Sequence, residues 1–236
     1  MALPKLETPK HSCNLPSSNE TVHFRPFLVG EQKVLLIAQE SEDTTTQVRE
    51  MVRLIDTCCD DIDAKNLPAV DLEFLFLQLR IKSVGETSDI SVECIECSMP
   101  NDITVSLESA EVVQPKKIIN NIIQLTDSIS LDIEQPSYQI IQNVDTSKGE
   151  NNPKQVFEII RNCITAIIDG DEIHTRDDFT PKELDAFLDT MDLKMLDKIQ
   201  EFFENIPSLE INTSYKCEKC FEQNTLNLKG VGNFFN

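Results

Sequence analysis

Eight cysteines are the residues of this 236-residue chain best suited to chemistry. Four of them fall in two C-x-x-C pairs, Cys94/Cys97 and Cys217/Cys220. Two intervening residues let one tight turn present two sulfurs to a single ion, and zinc favours four thiolates in a tetrahedron. Each pair supplies half of such a shell. Together they form a candidate Zn2+ site that is structural, because four cysteines leave no open coordination position for a reaction. Three alternatives stay open: two disulfides, a metal-free relic, and thiol redox chemistry. The last requires a C-x-x-C at a helix N-terminus beside a βα unit, and neither pair has that setting. Cys13, Cys58, Cys59 and Cys163 lack ligand spacing, and Cys163 lies on an apolar stripe as a small core residue.

No catalytic constellation accompanies the cysteines. His11, His23 and His174 are the only histidines, and none stands in an H-E-x-x-H or H-x-E pattern. The acidic run Asp169 to Asp178 departs from a calcium loop in its glycine position and ligand order, so a solvated loop between helices is expected. Six scattered glycines build no phosphate cradle; Gly230 and Gly232 read as a C-terminal turn that lets Phe234 and Phe235 dock. These observations point away from an enzyme.

The elements around the cysteines repeat one design. Ile90 and Val92 alternate with polar residues into Cys94, and Ile103, Val105 and Leu107 alternate out of Cys97. Leu209, Ile211 and Thr213 lead into Cys217, and Leu226 and Leu228 lead out of Cys220. Period-two alternation on both sides of a turn signals a β-hairpin. The expected fold class is α+β, a mostly helical body with the two hairpins joined as a zinc-ribbon-like satellite.

Residues 1–23, rich in Pro, Ser, Thr and Asn, read as an extended N-terminal arm with one short strand at Thr21–Phe24. A helical region follows over 24–87, with helices at Glu31–Gln39, Thr44–Thr57 and Val70–Ile81. The third is apolar nearly all round and is expected at the centre of the core. The first C-x-x-C hairpin and short strands at Ile122–Leu125 and Ile129–Ile133 occupy 88–135. A second helical region spans 136–206. There, Val156, Ile159, Ile160, Cys163, Ile164, Ile167 and Ile168 read as one amphipathic face, and Thr180-Pro181-Lys182-Glu183 as a capping box. The second hairpin and tail, 207–236, are expected to pack with 88–108 as the ribbon.

Forty-one acidic residues against 21 basic ones give a formal charge of −20, which disfavours direct binding of nucleic acid and of anionic membranes. No apolar stretch is long enough to insert into a membrane, and the polar start lacks signal-peptide order, so synthesis in the cytoplasm is expected.

Three segments resemble a known family. They are Arg25-Pro26-Phe27-Leu28-Val29-Gly30-Glu31-Gln32-Lys33-Val34-Leu35-Leu36, the run Phe74 to Glu86, and the closing C-x-x-C hairpin. Leu193 to Phe203 and the Phe-rich terminus share the likeness. From about residue 20 to the end, the chain resembles the T4-type myovirus baseplate hub, or hub-assembly, proteins of contractile-tailed and particularly marine phages. The resemblance implies a non-enzymatic component made in the host cytoplasm and destined for the virion tail baseplate. Its implied partners are other baseplate, hub and tail proteins around the tail tube and spike. Leu3, Leu6, Leu15, Phe24 and Phe27 are the arm hydrophobes expected either to make such contacts or to cover their own core. A different class competes: a zinc-ribbon adaptor for phage or host transcription or replication machinery.

Overall fold

The computed structural model describes residues 7–40, 44–113, 120–142 and 153–229. The chain divides into two compact units, Met1–Val113 with Ser208–Asn236, and Gln114–Pro207. The first unit thus carries both C-x-x-C pairs, although more than a hundred residues separate them in sequence.

In the first unit, residues read as an extended arm form a hairpin, β1 (His11–Asn14) with β2 (Thr21–Phe24). Leu15, Val22 and Phe24 are buried, so the hairpin covers its own core. Phe27 is buried as well; Leu3 and Leu6 lie outside the described residues. Helices α1 (Val29–Glu40), α2 (Thr44–Cys58) and α3 (Ala69–Ser83) follow. The Arg25 guanidinium anchors the start of α1 through two hydrogen bonds to the Glu31 carboxylate, 2.6 and 3.0 Å.

α2 turns Met51, Val52, Leu54 and Ile55 inward, the i, i+3, i+4 stripe of an amphipathic helix. α3 is buried on nearly all sides, through Val70, Leu72, Leu75, Phe76, Leu77, Leu79 and Ile81. Its buried Asp71 is satisfied by the backbone N–H and hydroxyl of Ser17, which ties the β1–β2 turn to α3. An Arg25 N–H to Cys58 O bond and an Asp60 N–H to His23 O bond fasten the same hairpin to the end of α2.

Two antiparallel ladders complete the unit: β3 (Thr87–Glu93) with β4 (Pro100–Ser106), and β10 (Ser208–Lys216) with β11 (Gln223–Lys229). β10 also pairs with the short β5 (Glu111–Val113), giving the order β11-β10-β5. This pairing brings the returning chain back beside the strand from which it left.

The second unit is a four-stranded antiparallel sheet with helices. The strand order is β6 (Ile122–Gln124), β7 (Ile129–Ile133), β8 (Ile164–Asp169), β9 (Glu172–Thr175). Helices α4 (Tyr138–Gln142), α5 (Pro153–Cys163), α6 (Pro181–Leu188) and α7 (Leu193–Glu204) accompany it. Leu131, Ile133, Ile160, Cys163, Ile164, Leu184, Ile199 and Phe202 form its core. The Thr180–Glu183 capping box is present in full at the start of α6.

Three expectations are corrected here. The apolar face read as one helix to Ile168 breaks at Cys163, where α5 ends and β8 begins. Ile164, Ile167 and Ile168 fit a helical stripe on spacing alone, but this β-branched run is stiff at χ1 and packs well on a pleated surface. The acidic run after it is then a two-residue hairpin turn, with Asp169 paired to Glu172 and Gly170 at φ +60°, leading into β9 rather than between helices. With these strands added, helix and strand occur in comparable amounts, and the molecule is mixed α+β rather than mostly helical.

Candidate metal centre

Both C-x-x-C turns are built alike. Glu93 pairs with Pro100 and Lys216 with Gln223, so each ladder closes a six-residue loop that starts at the first cysteine. In each loop the first cysteine's N–H donates to the sixth residue's carbonyl, Cys94 to Met99 and Cys217 to Glu222, both at 2.9 Å. Its carbonyl accepts from the residue after the second cysteine, Ser98 at 2.9 Å and Phe221 at 3.1 Å. That residue takes the left-handed conformation in both loops, with φ +53° at Ser98 and +63° at Phe221.

The two loops face each other across the sulfurs. All four Sγ atoms lie within 4.8 Å of one another, with Cys94 to Cys220 at 3.6 Å and Cys97 to Cys217 at 3.7 Å. Zinc–sulfur bonds of about 2.3 Å in a tetrahedron set sulfur–sulfur edges near ~3.8 Å. The close contacts therefore join sulfurs of different hairpins, as a shared tetrahedral shell requires. The first cysteine of each pair is buried; of the second ones, Cys97 is half-buried and Cys220 is exposed.

Backbone dipoles favour thiolates at the buried positions. The N–H groups of Cys97 and Glu96 lower the Cys94 thiol from its ordinary value. Those of Cys220 and Lys219 bring Cys217 down to about 6. At Cys220 an N–H from Glu222 acts in the same direction, but desolvation and the neighbouring thiols outweigh it and push the group up to about 12. Four sulfurs this close cannot all ionise without a cation among them; a divalent ion removes that conflict.

Two asparagines brace the site in a reciprocal way. Asn101 of β4 reaches the opposite loop, donating to Cys217 Sγ (3.8 Å) and accepting from the Glu218 N–H (2.9 Å). Asn224 of β11 does the same to the first loop, donating to Cys94 Sγ (3.5 Å) and accepting from the Ile95 N–H (3.1 Å). Both are buried. The Tyr215 hydroxyl adds a further cross-link to the Glu93 carbonyl at 2.9 Å. Reading the cysteines alone misses these residues. The available signal was their common offset, since each stands four positions after the second cysteine of its pair.

None of the remaining candidates joins this cluster. Burial pushes the thiols of Cys13 and Cys58 up to about 11 and those of Cys59 and Cys163 up to about 12, which makes them poor nucleophiles. Cys163 is a core residue of the second unit. His11 lies against Phe24, with ring centroids 5.7 Å apart. His174 sits on β9, 3.9 Å from the Glu172 carboxylate. Gly230, Gly232 and the terminal phenylalanines fall outside the described residues. Among the described residues, no helix is long and apolar enough to cross a membrane.

Fold and site together define an α+β protein in which, among the described residues, the one cluster of ligand-type side chains is a four-sulfur clip between hairpins. The chain belongs to the T4 bacteriophage base plate protein family, whose family model matches residues 8–236. No curated protein and no solved structure gives a significant match. Membership implies a structural role in the baseplate, with other baseplate proteins as partners.

Proposed function

We propose that this protein is a non-enzymatic structural or assembly component of the baseplate hub, working through protein–protein contacts near the tail tube and spike. The family match over nearly the whole chain carries this reading. The clip supports it: four sulfurs leave no position at which a metal could activate water or substrate. Cys94, Cys97, Cys217 and Cys220 hold one structural Zn2+, and the 3.6 and 3.7 Å sulfur contacts between hairpins support that assignment. The ion joins residues 88–108 to residues 207–229 as a ribbon and holds the returning chain beside the segment from which it left.

Quantitative mass spectrometry of purified intact virions tests the hub assignment. A hub component appears at a fixed low copy number per particle and fractionates with baseplates and tails. Co-purification with RNA polymerase, and absence from tails and from every tail-assembly intermediate, would sink it in favour of the adaptor reading. Elemental analysis of the purified protein tests the metal, with about one zinc per chain expected. Two disulfides in protein prepared under reducing conditions would overturn it.

A further inference from the structure

The outer end of the ribbon carries two large apolar side chains that the fold does not use. Ile95, between the cysteines of the first pair, is 78% exposed, and Phe221, directly after the second pair, is 68% exposed. Phe221 is also the wrong residue for its turn. Its φ of +63° lies in the left-handed region, which a bulky side chain occupies only at an energetic cost. The sister loop meets the same backbone requirement with Ser98, so the turn has no need of an aromatic. Burial does not repay the strain either. One face of the ring has Lys216 Nζ 5.4 Å from its centroid, leaving most of the side chain in solvent.

Hydrogen bonds pin the backbone at both residues. The Ile95 N–H is bonded to Asn224, three residues beyond Phe221, so the two sit on one tip. The Phe221 N–H is bonded to Cys217 O. Rigid presentation of an anchor lowers the ordering cost of docking. The charges around the tip state what it can meet. Glu93 and Glu96 flank Ile95, and Asp102 follows on the same hairpin, with no base between Glu93 and Asp102. All three carboxylates are exposed and form no ion pair among the described residues. The second loop is balanced, with Glu218 and Glu222 against Lys216 and Lys219. A Zn2+ held by four thiolates adds a further net negative charge beneath this rim.

We infer that the ribbon tip, with Ile95 and Phe221 as anchors, docks on a protein surface bearing an apolar socket ringed by lysine or arginine. The acidic rim turns nucleic acid away and disfavours a second copy of this equally acidic tip. This inference rests on the zinc and baseplate reading above and names the surface by which the protein joins its neighbours.

The test uses full-length zinc-loaded protein and, as probe, baseplate intermediates purified from an infection lacking it. Wild-type protein is expected to bind them, and more weakly at about 300 mM than at about 50 mM salt. The double variant Ile95→Ser/Phe221→Asn should keep its zinc and its thermal unfolding, because asparagine suits positive φ, yet bind at least about tenfold more weakly. Glu96→Lys should also weaken binding. A benzophenone amino acid at position 221 should cross-link to a baseplate protein beside its lysines or arginines. Undiminished binding by the folded double variant, binding indifferent to salt and to Glu96→Lys, or a cross-link to a second copy, to nucleic acid or to an acidic surface would overturn the inference. Failure of the wild-type protein to bind at all would overturn the baseplate reading together with it.

Discussion

Cys217 is the residue on which most of the site converges. It is buried, it accepts the Asn101 amide, and backbone N–H groups bring its thiol down to about 6. Replacing its sulfur with oxygen removes one of the four proposed zinc ligands. Cys217→Ser is expected to take zinc content from about one per chain to near zero, and to lower thermal stability and solubility. Unchanged unfolding of the variant, followed by circular dichroism, would contradict a structural metal. Glu210 of β10 provides a second measurement of a different kind. Lys229 (2.5 Å), then Asn227 (2.6 Å) and Ser208 (2.8 Å), hold its carboxyl down to about 2. A depressed carboxylate stabilises the fold fully above its unfolded value of about 4.3 and loses that contribution as pH falls toward the folded value. The stability advantage of the wild type over Glu210→Gln should therefore be greatest at neutral pH and shrink between about pH 4.5 and 2. Denaturant titrations of both proteins at several pH values would show it; a constant difference would mean that Glu210 is not ionised through this network.

At the scale of elements, the two hairpins act as one object because each supplies an asparagine to the other's loop. Asn101→Ala or Asn224→Ala removes a bond to a sulfur and orphans an N–H of the opposite loop. Each should cost about 1–3 kcal/mol in unfolding and about 10–100-fold in zinc affinity. Competition with a chromophoric chelator measures the second effect, and equal zinc retention by all three proteins would count against the brace. This level also shows what sequence could convey. Both C-x-x-C hairpins were legible, because period-two alternation and paired cysteines are local signals, and so were α1 to α3 and the Thr180 capping box. The break at Cys163 was not. Cys163, Ile164, Ile167 and Ile168 satisfy a helical stripe, and only pairing with β7 on one side and β9 on the other selects the strand. The β1–β2 hairpin was half legible. Thr21–Phe24 reads as a strand, whereas His11–Asn14 gains that state from its partner and from Asp71, 54 positions beyond Ser17. Contacts of such range carry no mark in a local window.

Across the whole molecule, the chain divides into a unit built from its two ends and a unit built from its middle. Each has its own buried core: α2, α3 and β10 residues in the first, and the Leu131, Ile164 and Ile199 cluster in the second. The four-sulfur clip lies wholly in the first unit, where it fastens residues 94–97 to residues 217–220. A bound ion stabilises only the structure that must come apart to release it. Calorimetry of the zinc-loaded protein should thus resolve two transitions. A strong chelator should move the transition of the first unit to lower temperature by at least about 10 °C, in line with the loss of several kcal/mol from a domain of this size. The second unit, whose described core includes none of the four clustered cysteines, should hold its midpoint. Amide hydrogen exchange assigns the transitions, with faster exchange after chelation expected in β3, β4, β10 and β11 and unchanged protection in β7, β8 and α7. A single transition that shifts as a whole with the chelator would show instead that folding of the middle segment depends on the clip that closes the ends around it.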